Sequence, residues 1–197
     1  MSDVARASGT RRIVILAEGA FDWQSAKTAV GVLRYSPDTI LAVIDSTHVG
    51  QDAATALGDP DGPGKGVPVV ASVRDTVASH PDTLLIGIAP IGGALPAAWR
   101  GELLAALEAG LTLVSGLHVF LSDDPELAQL AREHSATIWD VRRPPQELAQ
   151  RIRTGAPHRA GSHVVSFCGS DCNVGKMTAS VELPPVEASP FTRSIRQ

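Results

Sequence analysis

The sequence predicts an α/β protein with a doubly wound, Rossmann-like parallel sheet, followed by the strand–loop–helix start of an incomplete phosphate-loop domain. Short runs of Val, Ile and Leu alternate with stretches whose apolar residues recur at helical spacing. The runs are continuously apolar, which is typical of parallel strands covered on both faces. The length of 197 residues, 44% of them hydrophobic, allows one good core plus a piece of a second domain.

The first part of the chain predicts three strands. "RRIVILAEG" is a strand, and "SAKTAVGVLRY" a helix that places Ala26, Ala29, Val30 and Leu33 on one face. "TILAVID" is a second strand that ends at Asp45. The turn-rich "GQDAATALGDPDGPGKG" predicts a loop with room for one short helix. "VPVV" predicts a short strand and "SVRDTVASH" a short helix.

The next part repeats the alternation. "TLLIGIAP" is a strand, and "LPAAWRGELLAALEAG" a helix with Trp99, Leu103 and Leu107 four apart and Gly110 as its C-terminal stop. "LTLVSG" is a strand. "DDPELAQLAREH" is a helix with Asp124 at the N-cap. "ATIWDV" predicts a strand and "PPQELAQRIR" a helix.

These elements suggest a division of the chain. We predict a disordered N-terminus at 1–10, a Rossmann-like domain at 11–155 and a linker at 156–162. The strand "HVVSFC" then opens the start of a phosphate-loop domain at 163–183, and 184–197 form an irregular tail.

Composition narrows the classes of function. The net charge of −4 gives no reason to expect nucleic acid as a partner, since nucleic acid requires a basic face, although a local basic pocket is compatible with it. The apolar run "IVILA" is too short for a signal-peptide core or a membrane span, so we expect a cytoplasmic protein without a membrane partner. Two cysteines are too few for a disulfide framework or a zinc site, and we expect no metal. A homo-oligomer is compatible with the sequence.

Ligands of doubly wound sheets bind at the carboxyl ends of the strands. Near the first strand and helix, Glu18, Lys27 and Arg34 are candidate substrate contacts, with a solvated helix face as the alternative. Asp45 ends the second strand, where an acid can bind a ribose hydroxyl. The loop lacks the G-x-G-x-x-G fingerprint, which argues against NAD.

Further candidates follow the later strands. Gly92 and Gly93 lead into a helix, where backbone N–H groups attract anions, and a plain turn is the alternative. In "SGLHVFLSDD", Ser115 and Asp123 are candidate substrate contacts and His118 is our candidate general base. A surface or packed histidine is the alternative for His118.

The segment "GSDCNVGKMT" resembles a phosphate-binding loop at a helix start, where N–H groups and a lysine hold phosphate. The ten candidate phosphate-binding residues are Gly169, Ser170, Asp171, Cys172, Asn173, Val174, Gly175, Lys176, Met177 and Thr178. The strict G-x-x-x-x-G-K-[ST] pattern fails, because five residues separate the glycines and Met177 precedes the hydroxyl. The inserted Met turns Thr178 away from the usual Mg²⁺ position, since one helical residue is about 100°. A pyrophosphate that is held but not cleaved, as in coenzyme A, fits this loop.

This loop resembles G-[ST]-D-C-x-V-G-K-M-T of a bacterial two-domain family with an N-terminal Rossmann-like domain and a C-terminal phosphate-loop domain. "KTAVGVLRY", "AVIDSTHVG", "IGIAPIGGALP" and "SGLHVFLSDDPE" match it too, and the likeness covers about 11–183. The family includes D-glutamate N-acetyltransferases, so the resemblance implies acetyl-CoA on the loop 169–178 and an acidic D-amino acid as acceptor. The loop is also similar to that of dethiobiotin synthetase, which implies ATP with Mg²⁺ as the alternative.

The end of the chain departs from this family. Pro184 and Pro185 stop the last helix, and "PPVEASPFTRSIRQ" has no structural period. We therefore expect a truncated or frameshifted reading frame, with a natural short variant as the alternative. Three functions follow: an N-acetyltransferase impaired by truncation, an ATP-dependent ligase or ATPase, and a non-enzymatic fragment.

Overall fold

The computed structural model describes most of the predicted Rossmann-like domain and two short pieces beyond it, namely residues 10–90, 93, 95–144, 167–170 and 175–182. The chain divides into two compact units, Met1–Gln146 and Glu147–Gln197. The predicted helix "PPQELAQRIR" and most of the predicted strand "HVVSFC" lie outside the described residues. The domain bounds at 155 and 163 stay predictions.

Six parallel strands form the sheet of the first unit. They are β1 (Arg12–Leu16), β2 (Thr39–Ile44), β3 (Val69–Val70), β4 (Thr83–Ile86), β5 (Thr112–Ser115) and β6 (Ile138–Asp140). Their order is β3-β2-β1-β4-β5-β6, and each of the five pairings is parallel. The predicted Rossmann-like fold is confirmed. The strand order reverses between β1 and β4, so this order opens a crevice there at the carboxyl edge.

The helices alternate with the strands. They are α1 (Lys27–Tyr35), α2 (Ala53–Ala56), α3 (Arg100–Glu108) and α4 (Pro125–Glu133) in the first unit, and α5 (Lys176–Glu182) in the second. The segment predicted as a helix at 72–80 is a 3₁₀ helix, Val73–Ser79, and shorter 3₁₀ turns are Ala97–Trp99 and Leu121–Asp123. The Ser72–Asp75 capping box satisfies backbone amides at the start of the 3₁₀ helix Val73–Ser79.

The core lies between the sheet and its helices. Val14, Ile15 and Leu16 of β1 are fully buried, as the continuous apolar pattern predicts for a central strand. Trp99, Leu103 and Leu107 are buried too, which confirms the predicted inward face of this segment. Helix α3 packs against α4. None of the helices in the described ranges is long and apolar enough to cross a membrane.

Candidate functional site

Asp45 lies at the carboxyl end of β2 and ties together the loops after β1 and β2, residues 17–20 and 45–48, which we call the acidic flank. The side chain is fully buried. Its carboxylate accepts hydrogen bonds from the Gly19 amide at 3.0 Å and the Thr47 hydroxyl at 2.8 Å, and its Oδ2 lies 2.6 Å from His48 Nδ1. The acid predicted for a ribose is thus engaged by its own loops.

The electrostatics of this flank follow from those contacts. Burial pushes the pKa of Asp45 upward, but hydrogen bonds from His48, Thr47 and the Gly19 amide outweigh it and hold the pKa below its ordinary value. An ionised carboxylate only accepts, so Nδ1 of His48 carries the hydrogen of this contact, and in the neutral ring Nε2 has the lone pair. The His48 side chain is 33% exposed, so this histidine is both oriented and accessible.

Glu18 belongs to the same flank. It accepts hydrogen bonds from the amide of Ser46 at 2.8 Å and from the Ser46 hydroxyl. The indole of Trp99 donates to the backbone carbonyl of Glu18 at 3.2 Å. Glu18 therefore has loop partners of its own, and its position is fixed from both sides of the crevice, by the loop after β2 and by the segment after β4.

The two cationic candidates near the first helix are Lys27 and Arg34. Arg34, near the end of α1, stacks over the rings of Trp23 and Tyr35, each 5.9 Å from its guanidinium carbon. Lys27 is the first residue of α1 and is half-buried. The contacts of Arg34 account for it as part of an exposed aromatic surface. Their predicted substrate roles stay predictions.

His118 and Arg142 meet at the carboxyl ends of β5 and β6. We call the loops after these strands, residues 116–123 and 141–143, together with Gly93, the basic flank. Nη1 of Arg142 lies 3.2 Å from Nε2 of His118. Because a guanidinium can only donate, Nε2 is the acceptor in the neutral imidazole, and the ring hydrogen is on Nδ1. The base role predicted for His118 would require this contact to open or Nδ1 to lose its hydrogen.

Gly93 holds the other side of the His118 ring. Its backbone is left-handed, with φ of 69°, and a Cβ added there would lie 2.7 to 2.8 Å from atoms of His118. A side chain at 93 would therefore displace the ring. The sequence singled out Gly92 and Gly93 as anion-binding backbone, and the structure gives Gly93 a packing reason for being glycine. Gly92 lies outside the described residues.

Asp140 ties the basic flank together. It ends β6, is 6% exposed, and accepts from the amides of Leu121 at 2.9 Å and Ser122 at 3.0 Å, and from the Ser122 hydroxyl. Ser115 pairs with Asp140 in the sheet and is buried, with its hydroxyl accepting from the Leu117 amide. Ser115 is thus a loop-forming residue, and its predicted substrate contact stays a prediction.

Asp123 is the acidic candidate of this flank. Its carboxylate pairs with Arg143, whose guanidinium lies 4.3 Å from the ring centroid of Phe120. The sequence predicted Asp123 as a substrate contact, and the structure gives it a cationic partner in Arg143. Arg143 is thereby neutralised and packed, in contrast to its neighbour Arg142.

A second ion pair joins α3 to α4. Arg100 donates to both carboxylate oxygens of Asp124, at 2.8 and 3.1 Å. Asp124 also accepts from the Glu126 and Leu127 amides, which confirms its predicted N-cap role. Hydrogen bonds from Arg100 and the Leu127 amide lower the pKa of Asp124 to about 2. This pair fixes the helix that follows the basic flank.

The described part of the phosphate-type loop is small. Gly169 and Ser170 are exposed, Gly175 has φ of 82°, and α5 begins at Lys176 and carries Met177 and Thr178. Asp171, Cys172, Asn173 and Val174 lie outside the described residues. Phosphate binding by this loop stays a prediction. Across the described ranges, no group of three or more His, Cys, Asp or Glu side chains is placed to hold a metal ion.

Four residues of these flanks were missed from sequence: His48, Asp140, Arg142 and Arg143. A signal for them existed, because "DSTH" and "DVRR" each follow a predicted strand, where side chains reach the carboxyl edge. The contact between Arg142 and His118 additionally requires the pairing of β5 with β6, and no local pattern contains that.

Comparison with known proteins gives one consistent relationship. Residues 46–144 match the DUF1611_N Rossmann-like domain, a domain of unknown function. A D-glutamate N-acetyltransferase of Tritonibacter scottomollicae is 32% identical over 82% of this chain, and one of a Pseudoalteromonas species is 35% identical over 51%. The chain spans 44% and 29% of the lengths of these relatives.

A solved structure agrees with this relationship. The crystal structure of a DUF1611 family protein from Anabaena variabilis superposes with a TM-score of 0.61 and 38% identity, over 70% of this chain and 38% of that one. The matched residues include the loops after β5 and β6 and most of the loop after β2, whereas Asp45 and the loop after β1 lie outside the match. This chain belongs to the DUF1611_N family of Rossmann-like domains.

Proposed function

We propose that this chain carries the Rossmann-like part of an N-acetyltransferase that transfers the acetyl group of acetyl-CoA to the amino group of D-glutamate or a similar acidic D-amino acid. One observation carries the proposal: 32% identity to a D-glutamate N-acetyltransferase over 82% of this chain. Because the chain spans 44% of that relative, its activity in this form is part of the proposal.

The reaction sets clear requirements. The neutral amine attacks the thioester carbonyl, the N–C bond forms, and the C–S bond breaks. The proton lost by nitrogen passes to a general base and ends on the coenzyme A sulfur. Donors must stabilise the oxyanion, and cations must hold the acceptor's carboxylates.

His48, on the acidic flank, is better placed than His118 to act as the general base. Asp45 lies 2.6 Å from its Nδ1, so Nε2 of the neutral ring is the nitrogen that can accept a proton. Asp45 acts as a positioning residue in this arrangement. The sequence pointed to His118 for the base, but its Nε2 accepts from Arg142. In the proposal, His48 therefore takes the proton from the acceptor amine.

We assign binding of the acetyl donor, acetyl-CoA, to the loop 169–178 because of the sequence pattern of that loop. The left-handed Gly175 and Lys176 at the start of α5 fit a turn whose amides and ammonium group hold a pyrophosphate. Acetyl-CoA present at 100 times its Kd should stabilise the protein by about 2.7 kcal/mol. Stabilisation by ATP with Mg²⁺ and not by acetyl-CoA would favour the ligase or ATPase instead.

The direct test is acetyl transfer by the purified 197-residue chain. D-Glutamate and acetyl-CoA are mixed with the protein, released thiol is followed with a thiol reagent, and the N-acetylated product is identified by mass spectrometry. We expect turnover with D-glutamate well above that with L-glutamate. Absence of product from a folded protein that binds acetyl-CoA would overturn the proposal for this chain.

The base is tested by His48→Asn, whose amide can still donate to Asp45 but cannot take a proton. We expect kcat to fall about 100-fold or more, because general-base catalysis contributes on that scale. His134→Asn, at the end of α4, is the matched histidine control and should keep wild-type kcat. If kcat falls in His118→Gln and not in His48→Asn, the general base is His118, as the sequence predicted.

A further inference from the structure

Among the described residues, Arg142 has no anionic partner. Across the described ranges, its polar contact is the one with His118, at 3.2 Å, and no carboxylate lies within ion-pair distance of its guanidinium. Both side chains are exposed to solvent. The described partner of this guanidinium is therefore an imidazole and not a carboxylate.

The neighbouring arginine is the internal control. Arg143 follows Arg142 directly, yet it pairs with Asp123 and stacks on Phe120. A guanidinium that only needed a surface location would be expected to find such partners. The loop neutralises one of two adjacent arginines and leaves the other beside a histidine, which separates a structural arginine from one available to a ligand.

The frame around the pair is rigid on both sides. Gly93 packs against the His118 ring, and Asp140, two residues before Arg142, holds the Leu121 and Ser122 amides of the loop that contains His118. Ser115 and Asp140 face each other in the sheet, so His118 and Arg142 rise from neighbouring strands at the same level. Such preorganisation lowers the entropic cost of holding a ligand.

We propose that Arg142 and His118 form a clamp for a carboxylate of the acyl acceptor, an inference that rests on the proposed function. The guanidinium offers a planar fork of N–H donors that matches a carboxylate, and the contact of Arg142 with Nε2 of His118 at 3.2 Å orients that fork. The strands that carry His48 and His118 are three positions apart, roughly 14 Å at the backbone. Two side chains and an extended amino acid can span that gap.

Binding of D-glutamate to the full chain is the test, measured by calorimetry without acetyl-CoA. Arg142→Ala should raise the Kd at least about tenfold, because a charge-assisted hydrogen bond is lost. Arg142→Lys keeps the charge but not the planar fork of donors, so its Kd for D-glutamate should lie between those of wild type and Arg142→Ala. Arg143→Ala is the matched control and should bind within about threefold of wild type, since its charge is already paired. Equal losses in Arg142→Ala and Arg143→Ala would overturn the clamp.

A second readout reports on His118 itself. The ring resonances of His118 should shift when D-glutamate is added to wild type and to Arg143→Ala, and should not shift in Arg142→Ala. Circular dichroism confirms that each variant is folded. Inorganic phosphate and acetyl-CoA are titrated in parallel. An affinity loss for these in Arg142→Ala, with D-glutamate binding intact, would overturn the clamp in favour of a phosphate site.

The two proposals fail in different ways. If Arg142→Ala binds D-glutamate as well as wild type does while acetyl transfer continues, the clamp is wrong and the proposed function stands. If D-glutamate binds through Arg142 and no acetyl transfer is detected, the clamp stands and the proposed function fails.

Discussion

The two flanks of the crevice use the same device and end with opposite character. In each, a buried carboxylate at the end of a strand, Asp45 or Asp140, accepts hydrogen bonds from the loops beside it. On the acidic flank one acceptor oxygen goes to His48, which is thereby oriented. On the basic flank the described donors to Asp140 are neutral, and Arg142 contacts His118. The choice of partner for the buried acid decides which charge a loop presents.

The largest expected effect is the loss of either buried acid. Asp45→Ala and Asp140→Ala each leave loop amides without a partner, and we expect each to lower the free energy of unfolding by about 2–4 kcal/mol. Urea unfolding measures this. Asp61→Ala is the control, since Asp61 pairs with Lys65 in full solvent, and it should cost less than about 1 kcal/mol. A loss as small as the control's in either variant would show that its flank is not held by that acid.

The next effect compares two left-handed glycines, one on each flank. Gly19 has φ of 71° and open space around a Cβ, whereas a Cβ on Gly93, at φ of 69°, would meet His118. Both alanine variants lose about 1–2 kcal/mol to backbone strain. Gly93→Ala should lose roughly 1–3 kcal/mol more from overpacking, and should also weaken D-glutamate binding. Equal thermal shifts for the two would mean that the ring moves aside freely.

The smallest effect is the pH dependence of the ion pair between Arg100 and Asp124, at the start of the helix that follows the basic flank. The pKa of Asp124 is about 2 in the folded state against an ordinary 3.8, so its contribution is present above about pH 4 and is lost as the pH falls toward 2. The side chain is 30% exposed, which limits the contribution to less than about 1 kcal/mol. Asp124→Asn keeps the helix cap. Its unfolding free energy should lie below wild type at pH 6 and meet it near pH 2.

A constant difference between wild type and Asp124→Asn across this pH range would contradict the ion-pair account of that shift. Asp45 has a lowered pKa as well, so its contribution is lost with the same sign on acidification. Acid should therefore weaken the contributions of both Asp45 and Asp124 to stability. The pH dependence of the unfolding free energy of Asp45→Asn, measured in parallel, separates the contribution of Asp45 from that of Asp124.

Much of the fold was predictable because it depends on local patterns. Continuous apolar runs marked the buried strands, and an Asp–Pro pair marked the start of α4, where Asp124 caps the helix. The 3₁₀ conformation of Val73–Ser79 was not predictable, since helical spacing alone does not separate the two helix types. The candidate site depends on strand order. Only the pairing of β5 with β6 brings Arg142 to His118, and only the contact of two loops makes Asp45 a partner of Gly19.

The position of Arg142 next to the outermost strand on one side of the described sheet couples ligand binding to local unfolding. Strand β6 has three residues and, among the described strands, pairs only with β5, so it should fray more readily than the central strands. The Val141 amide, which donates to the Ser115 carbonyl at 2.9 Å, closes this end of the strand. A ligand held by Arg142 binds only the closed form, and by linkage must slow hydrogen exchange of that amide. Hydrogen exchange of the Val141 amide, at the end of β6, therefore reports whether a ligand is bound to Arg142.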